Sequence, residues 1–170
     1  ILPDFAPETI AGLTLHSESV VLFTETRMWE NMDQSTMPNL KAAINVDDFS
    51  LLYAADKAYV EAAEKIESSM PKVYGEEDKI SVTDYKFSSL DDLAIINYTS
   101  GTTSSPKGVM LTARNLSSNI EFGLRNIPVT NDDKIMSMLP LAHMYGMAFE
   151  FLYPLSGGAH VYFLGKTPTP

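Results

Sequence analysis

The sequence predicts an α/β layered domain with a largely parallel sheet. Short apolar stretches alternate with segments whose apolar residues follow helical spacing, a pattern typical of sheets whose strands are joined by helices. The composition is globular, because 45% of the residues are hydrophobic and 20% are charged, which is too apolar for a disordered chain. We therefore expect a single domain with its own core over residues 1–170.

The apolar patterns place the elements in order along the chain. Strands are predicted at residues 20–23, 42–46, 93–98, 109–111, 134–139 and 159–164. Helices are predicted from Pro7 to His16, from a cap at Thr24, from Tyr53 to Met70, from a cap at Thr112 and from His143 to Leu155. The run at 93–98 is apolar at nearly every position, so we expect a central strand buried on both faces.

The charge and the apolar pattern argue against a nucleic-acid-binding surface and a membrane-spanning helix. The net charge is -10 with 12 Lys and Arg residues, which argues against a broad nucleic-acid surface because such surfaces need clustered cations. No apolar run approaches the roughly 20 residues of a membrane-spanning helix. The chain begins at Ile1 without an initiator Met and ends at Pro170, so we expect a domain truncated at both ends.

The segment with the most groups able to bind a ligand begins at the end of the predicted strand 93–98. It reads Tyr98-Thr99-Ser100-Gly101-Thr102-Thr103-Ser104-Ser105-Pro106-Lys107-Gly108. Small residues let backbone N–H groups approach a polyphosphate, hydroxyls can hold phosphate oxygens or Mg²⁺, and Lys107 adds a positive charge. A Walker loop is excluded because Pro106 precedes the lysine and Gly108 follows it. A surface turn without a ligand remains the alternative.

Two segments carry a resemblance to a known family. Residues 99–109 resemble the phosphate-loop signature of the adenylate-forming, or AMP-binding, superfamily, with Ser104 where that family usually has Gly. Residues 139–146, Leu-Pro-Leu-Ala-His-Met-Tyr-Gly, are similar to the segment that lines the family's acyl and adenylate pocket. The sequence of this segment, together with Glu150-Phe151 and residues 158–163, most resembles that of long-chain fatty acid–CoA ligases.

The resemblance implies a two-step reaction with ATP, Mg²⁺ and coenzyme A. A fatty acid attacks ATP to give an acyl-adenylate and pyrophosphate, and the thiol of coenzyme A then displaces AMP. The residues assigned to the ATP phosphates are Thr99, Ser100, Gly101, Thr102, Thr103, Lys107 and Gly108, with Thr99 also contacting Mg²⁺. Lys107 and His143 would be catalytic. His143 would also contact the substrate with Met144, Tyr145 and Met147, although a plain core helix remains the alternative for these last three.

The resemblance also sets the expected architecture and partners. It implies a three-layer, flavodoxin-like subdomain of the family's N-terminal domain, inactive alone because three later family segments do not occur by residue 170. The expected partners are the rest of the parent chain and a second copy of this chain, bound through exposed apolar surface. We expect the protein to lie in the cytoplasm, peripheral to the membrane. Alternatives are a peptide-synthetase-type adenylation domain and a non-catalytic domain for anion binding or assembly.

Overall fold

The computed structural model describes residues 5–65, 89–99 and 106–165. These residues form two compact units, one holding residues 5–65 and the other holding residues 89–99 and 106–165. The predicted α/β class is confirmed, with both parallel and antiparallel strand pairs in the sheets. Within the described ranges no helix is long and apolar enough to cross a bilayer.

The first unit combines three strands with helices. Its elements are α1 (Pro7–His16), β1 (Val21–Thr24), α2 (Thr26–Glu30), a 3-10 turn (Gln34–Thr36), β2 (Ala42–Asn45), β3 (Leu51–Ala54) and α3, described over residues 57–65. The sheet order is β1-β2-β3. Strand β1 runs parallel to β2, and β3 pairs antiparallel with β2.

The core of this unit lies between its sheet and its helices. Trp29 is 5% exposed, and its ring centroid lies 5.7 Å from that of Tyr53. The buried cluster consists of Ile10, Ala11, Leu22, Trp29, Met32, Met37, Leu40 and Ala43. These side chains come from successive elements, so hydrophobic burial holds the unit together.

Two predicted helix starts in this unit are wrong. Thr24 ends β1 and does not cap α2, whose N-cap is Glu25. Tyr53 lies in β3, and the following helix begins later because Asp56 Oδ1 accepts a 2.8 Å hydrogen bond from the Ala58 N–H. An aspartate in that position satisfies a backbone donor of the first helical turn.

The second unit contains the segments that resemble the known family. Its elements are β4 (Leu93–Thr99), β5 (Lys107–Thr112), α4 (Ala113–Asn126), β6 (Lys134–Ser137), a π-helix (Gly146–Leu152), α5 (Tyr153–Ser156) and β7 (His160–Phe163). Strands β4 and β5 pair antiparallel, and β6 pairs parallel with β7. Helix α4 starts with a capping box, in which Thr112 Oγ1 accepts from the Asn115 N–H and the Asn115 side chain accepts from the Thr112 N–H.

Strand β4 occurs where predicted, but its expected burial on both faces is wrong. In the described part of the chain it pairs with β5 alone, and Leu93 is 48% exposed. The pairing is antiparallel because residues 100–106 are fewer than the dozen or so that a parallel crossover requires. An apolar run therefore identified the strand without identifying its neighbours.

Exposed apolar side chains are frequent in the second unit, as the sequence led us to expect. Met110 is 67% exposed, and other exposed examples are Phe122, Ile127, Met136, Tyr162 and Phe163. Homodimerisation through this surface remains a prediction.

Gly123 on α4 packs closely against the ring of Tyr153. A Cβ atom added at Gly123 would lie 2.7 Å from Tyr153 Cδ2. The ring cannot move away easily, because Tyr153 is buried and its hydroxyl donates a hydrogen bond to the Ile127 carbonyl. Burial, with a smaller effect of Asp133, raises the pKa of this hydroxyl. The absence of a side chain at Gly123 is therefore required by packing.

Matched glycine substitutions test this packing. Gly12→Ala, in an exposed helical position with nothing within 4 Å of the added Cβ, should raise the free energy of unfolding by about 0.5–1 kcal/mol through helix propensity. Gly123→Ala should lower it by about 1–3 kcal/mol through overpacking. Urea unfolding of the two variants measures both values, and equal stabilisation by the two substitutions would contradict the contact.

Candidate functional site

An open cavity of about 540 Å³ lies within the second unit. Strands β4 and β5, helix α4 and residues 142–149 all contribute to its wall. The lining residues are Asn97, Tyr98, Thr99, Val109, Leu111, Asn115, Leu116, Asn119, Ala142, His143, Met144, Tyr145, Ala148 and Phe149. A mostly apolar wall with a few polar groups is typical of a small-molecule site.

Three of the predicted phosphate residues, Thr99, Lys107 and Gly108, lie at one end of the β4–β5 pair. Thr99 pairs with Lys107 and Tyr98 with Gly108 in the antiparallel register. Thr99 lines the cavity, and the Lys107 side chain is exposed. The other predicted phosphate contacts, Ser100, Gly101, Thr102 and Thr103, lie outside the described residues.

Gly108 allows β5 to lie close to the side chains of β4. A Cβ at this position would lie 3.0 Å from Ile96 Cγ2 and 3.1 Å from Tyr98 Cε1. Tyr98 is 6% exposed, so its ring has little room to yield. Gly108 thus has a packing role in the strand pair, and neither it nor Lys107 is among the residues that line the cavity.

The His143 segment is held against β4 by a side-chain amide. Asn97 Nδ2 donates a 2.8 Å hydrogen bond to the Ala142 carbonyl. The next residue, His143, lines the cavity, and its backbone N–H donates to the Pro140 carbonyl at 2.8 Å. His143 Nδ1 accepts a hydrogen bond from the Tyr145 N–H at 3.3 Å. The structure thus brings Thr99 and His143 to one cavity.

Gly146 closes the turn that carries His143. It is buried, and an added Cβ would lie 2.9 Å from the Pro140 carbonyl oxygen and 3.1 Å from Leu139 Cβ. The start of the π-helix therefore packs directly on the start of the turn. This close approach limits where His143 can lie.

Glu150 fixes the other end of the same turn. Its Oε2 accepts hydrogen bonds from Ser137 Oγ at 3.1 Å, the Met138 N–H at 2.8 Å and the Leu139 N–H at 2.9 Å. The Leu139 N–H is the largest contributor to a lowered pKa of the Glu150 carboxyl, followed by opposing desolvation and the bonds from Met138 and Ser137. The carboxylate is therefore ionised at neutral pH.

An exposed ion pair lies at the base of the β4–β5 pair. Arg114 donates from Nε and Nη2 to the two carboxylate oxygens of Asp91 at 2.6 and 3.0 Å. The hydrogen bonds and then the charge of Arg114 lower the pKa of Asp91. This exposed pair joins the chain before β4 to the first turn of α4, at the end away from Thr99.

The three predicted substrate-wall residues differ in position. Met144 and Tyr145 line the cavity, whereas Met147 is not among its lining residues. Phe149 lines it instead, and its ring centroid lies 5.1 Å from that of Tyr145. Asn97 also lines the cavity but was not predicted, because its only signal in the sequence is a polar residue inside an apolar strand.

A site for Mg²⁺ is compatible with Thr99. Among the described residues no three His, Cys, Asp or Glu side chains form a metal cluster. Mg²⁺ in nucleotide sites is usually held by one or two carboxylates, with phosphates and waters completing the shell. Thr99 supplies a single hydroxyl at the exposed end of β4, so Mg²⁺ binding by Thr99 remains a prediction.

Comparisons with known proteins agree on the family. The family described as AMP-binding enzyme matches residues 1–170. The long-chain-fatty-acid–[acyl-carrier-protein] ligase AEE15 of Arabidopsis thaliana is 32% identical over 91% of this chain and 22% of its own length. The long-chain-fatty-acid–CoA ligase 5 of Mus musculus is 33% identical over 82% of this chain and 20% of its own length. This chain thus spans about a fifth of these relatives.

Solved structures confirm the fold. ATP-bound MatB from Rhodopseudomonas palustris matches with a TM-score of 0.70 and 20% identity, over 99% of this chain and 30% of that one. The anthranilate CoA ligase AuaEII in complex with anthranoyl-AMP matches with a TM-score of 0.74 and 16% identity, over 98% of this chain and 30% of that one. At these identities the likeness establishes the fold alone. With the family match over its whole length, the chain belongs to the AMP-binding enzymes.

Proposed function

We propose that this chain is part of an ATP-dependent ligase that converts long-chain fatty acids into acyl-adenylates and then into thioesters. The observation that carries the proposal is the shared cavity, whose wall includes Thr99, His143 and an apolar lining. Relatives named as long-chain fatty acid ligases, at 30–33% identity, support the substrate class.

The first chemical step suits the groups at the end of β4. An oxygen of the ionised fatty acid attacks the α-phosphorus of ATP, the bond to the β-phosphate oxygen breaks, and pyrophosphate leaves. The acid is already deprotonated at neutral pH, so the step needs positioning and charge neutralisation rather than a base. Lys107 neutralises the departing pyrophosphate, and Thr99 binds phosphate or Mg²⁺. Mg²⁺, when bound, neutralises phosphate charge.

The apolar wall of the cavity suits the acyl group. Val109, Leu111, Leu116, Ala148 and Phe149 line it together with Met144. Apolar and sulfur-containing side chains adapt to a flexible hydrocarbon chain without requiring hydrogen bonds. His143 lies among them as a polar group and would face the carboxylate end of the acid.

The second step has two candidate thiols. Coenzyme A is the acceptor named for the mouse relative, and an acyl carrier protein is the acceptor named for AEE15. We propose coenzyme A. We also propose that this chain alone is inactive and that the whole protein is cytoplasmic and peripheral to membranes, where long-chain acids accumulate.

Substrate profiling tests the proposed function. The full-length protein containing this chain is assayed for acid-dependent exchange between pyrophosphate and ATP, using palmitate, oleate, butyrate, benzoate and amino acids. Palmitate or oleate should support the fastest exchange because the cavity wall is apolar. Exchange with amino acids alone would favour a peptide-synthetase-type domain, and no exchange with any acid would favour a non-catalytic anion-binding domain.

Lys107→Ala separates phosphate neutralisation from acid binding. In the full-length protein the variant should slow pyrophosphate release by about 10²-fold, a typical loss when one group that stabilises developing charge is removed. The KM for the fatty acid should stay within about twofold, because Lys107 does not line the cavity.

The matched control for this variant is Lys134→Ala. Lys134 is also an exposed lysine at the start of a strand, in β6, and its removal should leave both quantities unchanged. Pyrophosphate release at the wild-type rate in Lys107→Ala would refute the assigned role.

A further inference from the structure

Glu150 combines a charge with an unusual set of partners. One of its carboxylate oxygens accepts three hydrogen bonds, two of them from the consecutive backbone N–H groups of Met138 and Leu139. Within the described part of the chain, no ion pair involves Glu150. Hydrogen bonds to a charged acceptor are shorter and stronger than neutral ones. The charged carboxylate of Glu150 therefore orders the backbone at the end of β6.

The element that carries Glu150 also forms part of the cavity. The π-helix Gly146–Leu152 places Ala148 and Phe149 in the cavity wall, while Glu150 contacts the end of β6. A π-helix is rare, and such helices are frequent at functional sites. One helix is thus fixed between the strand end and the cavity.

A short series of contacts connects Glu150 to His143. Glu150 binds the Leu139 N–H, and the carbonyl of the next residue, Pro140, accepts from the His143 N–H at 2.8 Å. Gly146, four residues before Glu150, packs on the same Pro140 carbonyl. Displacing the Leu139 backbone would therefore displace His143.

We propose that Glu150 is a positioning residue of the candidate site, fixing residues 138–146 so that His143 and the acyl wall face the cavity in one arrangement. This inference deepens the proposed function and relies on it for the kinetic readout. Glu150 acts through the turn and does not touch the substrate. Its removal should therefore weaken fatty acid binding more than ATP binding.

Kinetics of the full-length protein test this role. Glu150→Ala should raise the KM for palmitate about tenfold, lower kcat less, and leave the KM for ATP within about twofold. Glu150→Gln should restore the palmitate KM to within about threefold of wild type, because its amide oxygen can accept the same bonds. The control Glu121→Ala removes an exposed carboxylate that pairs with Arg125 on α4, and it should change neither KM.

Amide hydrogen exchange gives a second readout that needs no activity. Exchange at residues 138–146 should accelerate at least about tenfold in Glu150→Ala and remain near wild type in Glu150→Gln. If Glu150→Ala does not fold, Glu150→Asp replaces it, since the shorter side chain withdraws the acceptor oxygen from both N–H groups.

The outcomes separate the two proposals. Suppose that exchange at 138–146 is faster in Glu150→Ala but the wild-type protein activates no acid. This result would uphold the role of Glu150 in ordering the turn and refute the proposed function. Unchanged exchange there, or a loss of activity that follows the folded fraction with an unchanged palmitate KM, would overturn the positioning role.

Discussion

In the antiparallel pair β4–β5, Thr99 lies opposite Lys107, and this register places the two ends of the predicted phosphate loop side by side. The ladder below them is continued by Tyr98 opposite Gly108 and is closed at its far end by the Asp91–Arg114 ion pair. A one-residue slip in this register would move each side chain to the opposite face of the pair. The cavity wall formed by Thr99, Val109 and Leu111 therefore depends on it.

The second part of the site is attached to this strand pair by few but directional contacts. The Asn97 amide binds the Ala142 carbonyl, and Glu150 binds the backbone at 138–139. Both contacts satisfy backbone groups at a turn, where regular secondary structure provides no partner. An apolar wall alone would not fix the position of His143. These polar contacts give the turn a defined place beside β4.

Local chemistry made part of this arrangement predictable. The apolar run at 93–98, the cap at Thr112 and the helix after His143 were visible because each depends on residues close in sequence. The contact of Asn97 with Ala142 spans 45 positions, and no local pattern specifies such a pairing. The π-helix was not predicted either, because the spacing of apolar residues alone does not distinguish it from an α-helix.

We propose that the apolar cavity beside Thr99 and His143 receives the fatty acid. The most direct measurement is photolabelling of the full-length protein with a long-chain acid that carries a diazirine near its carboxyl group, followed by mass-spectrometric mapping of the labelled positions. We expect labelling within residues 109–119 and 142–149, which contain most of the lining residues, and suppression of this labelling by excess palmitate. Palmitate-sensitive labelling confined to other parts of the protein would contradict it.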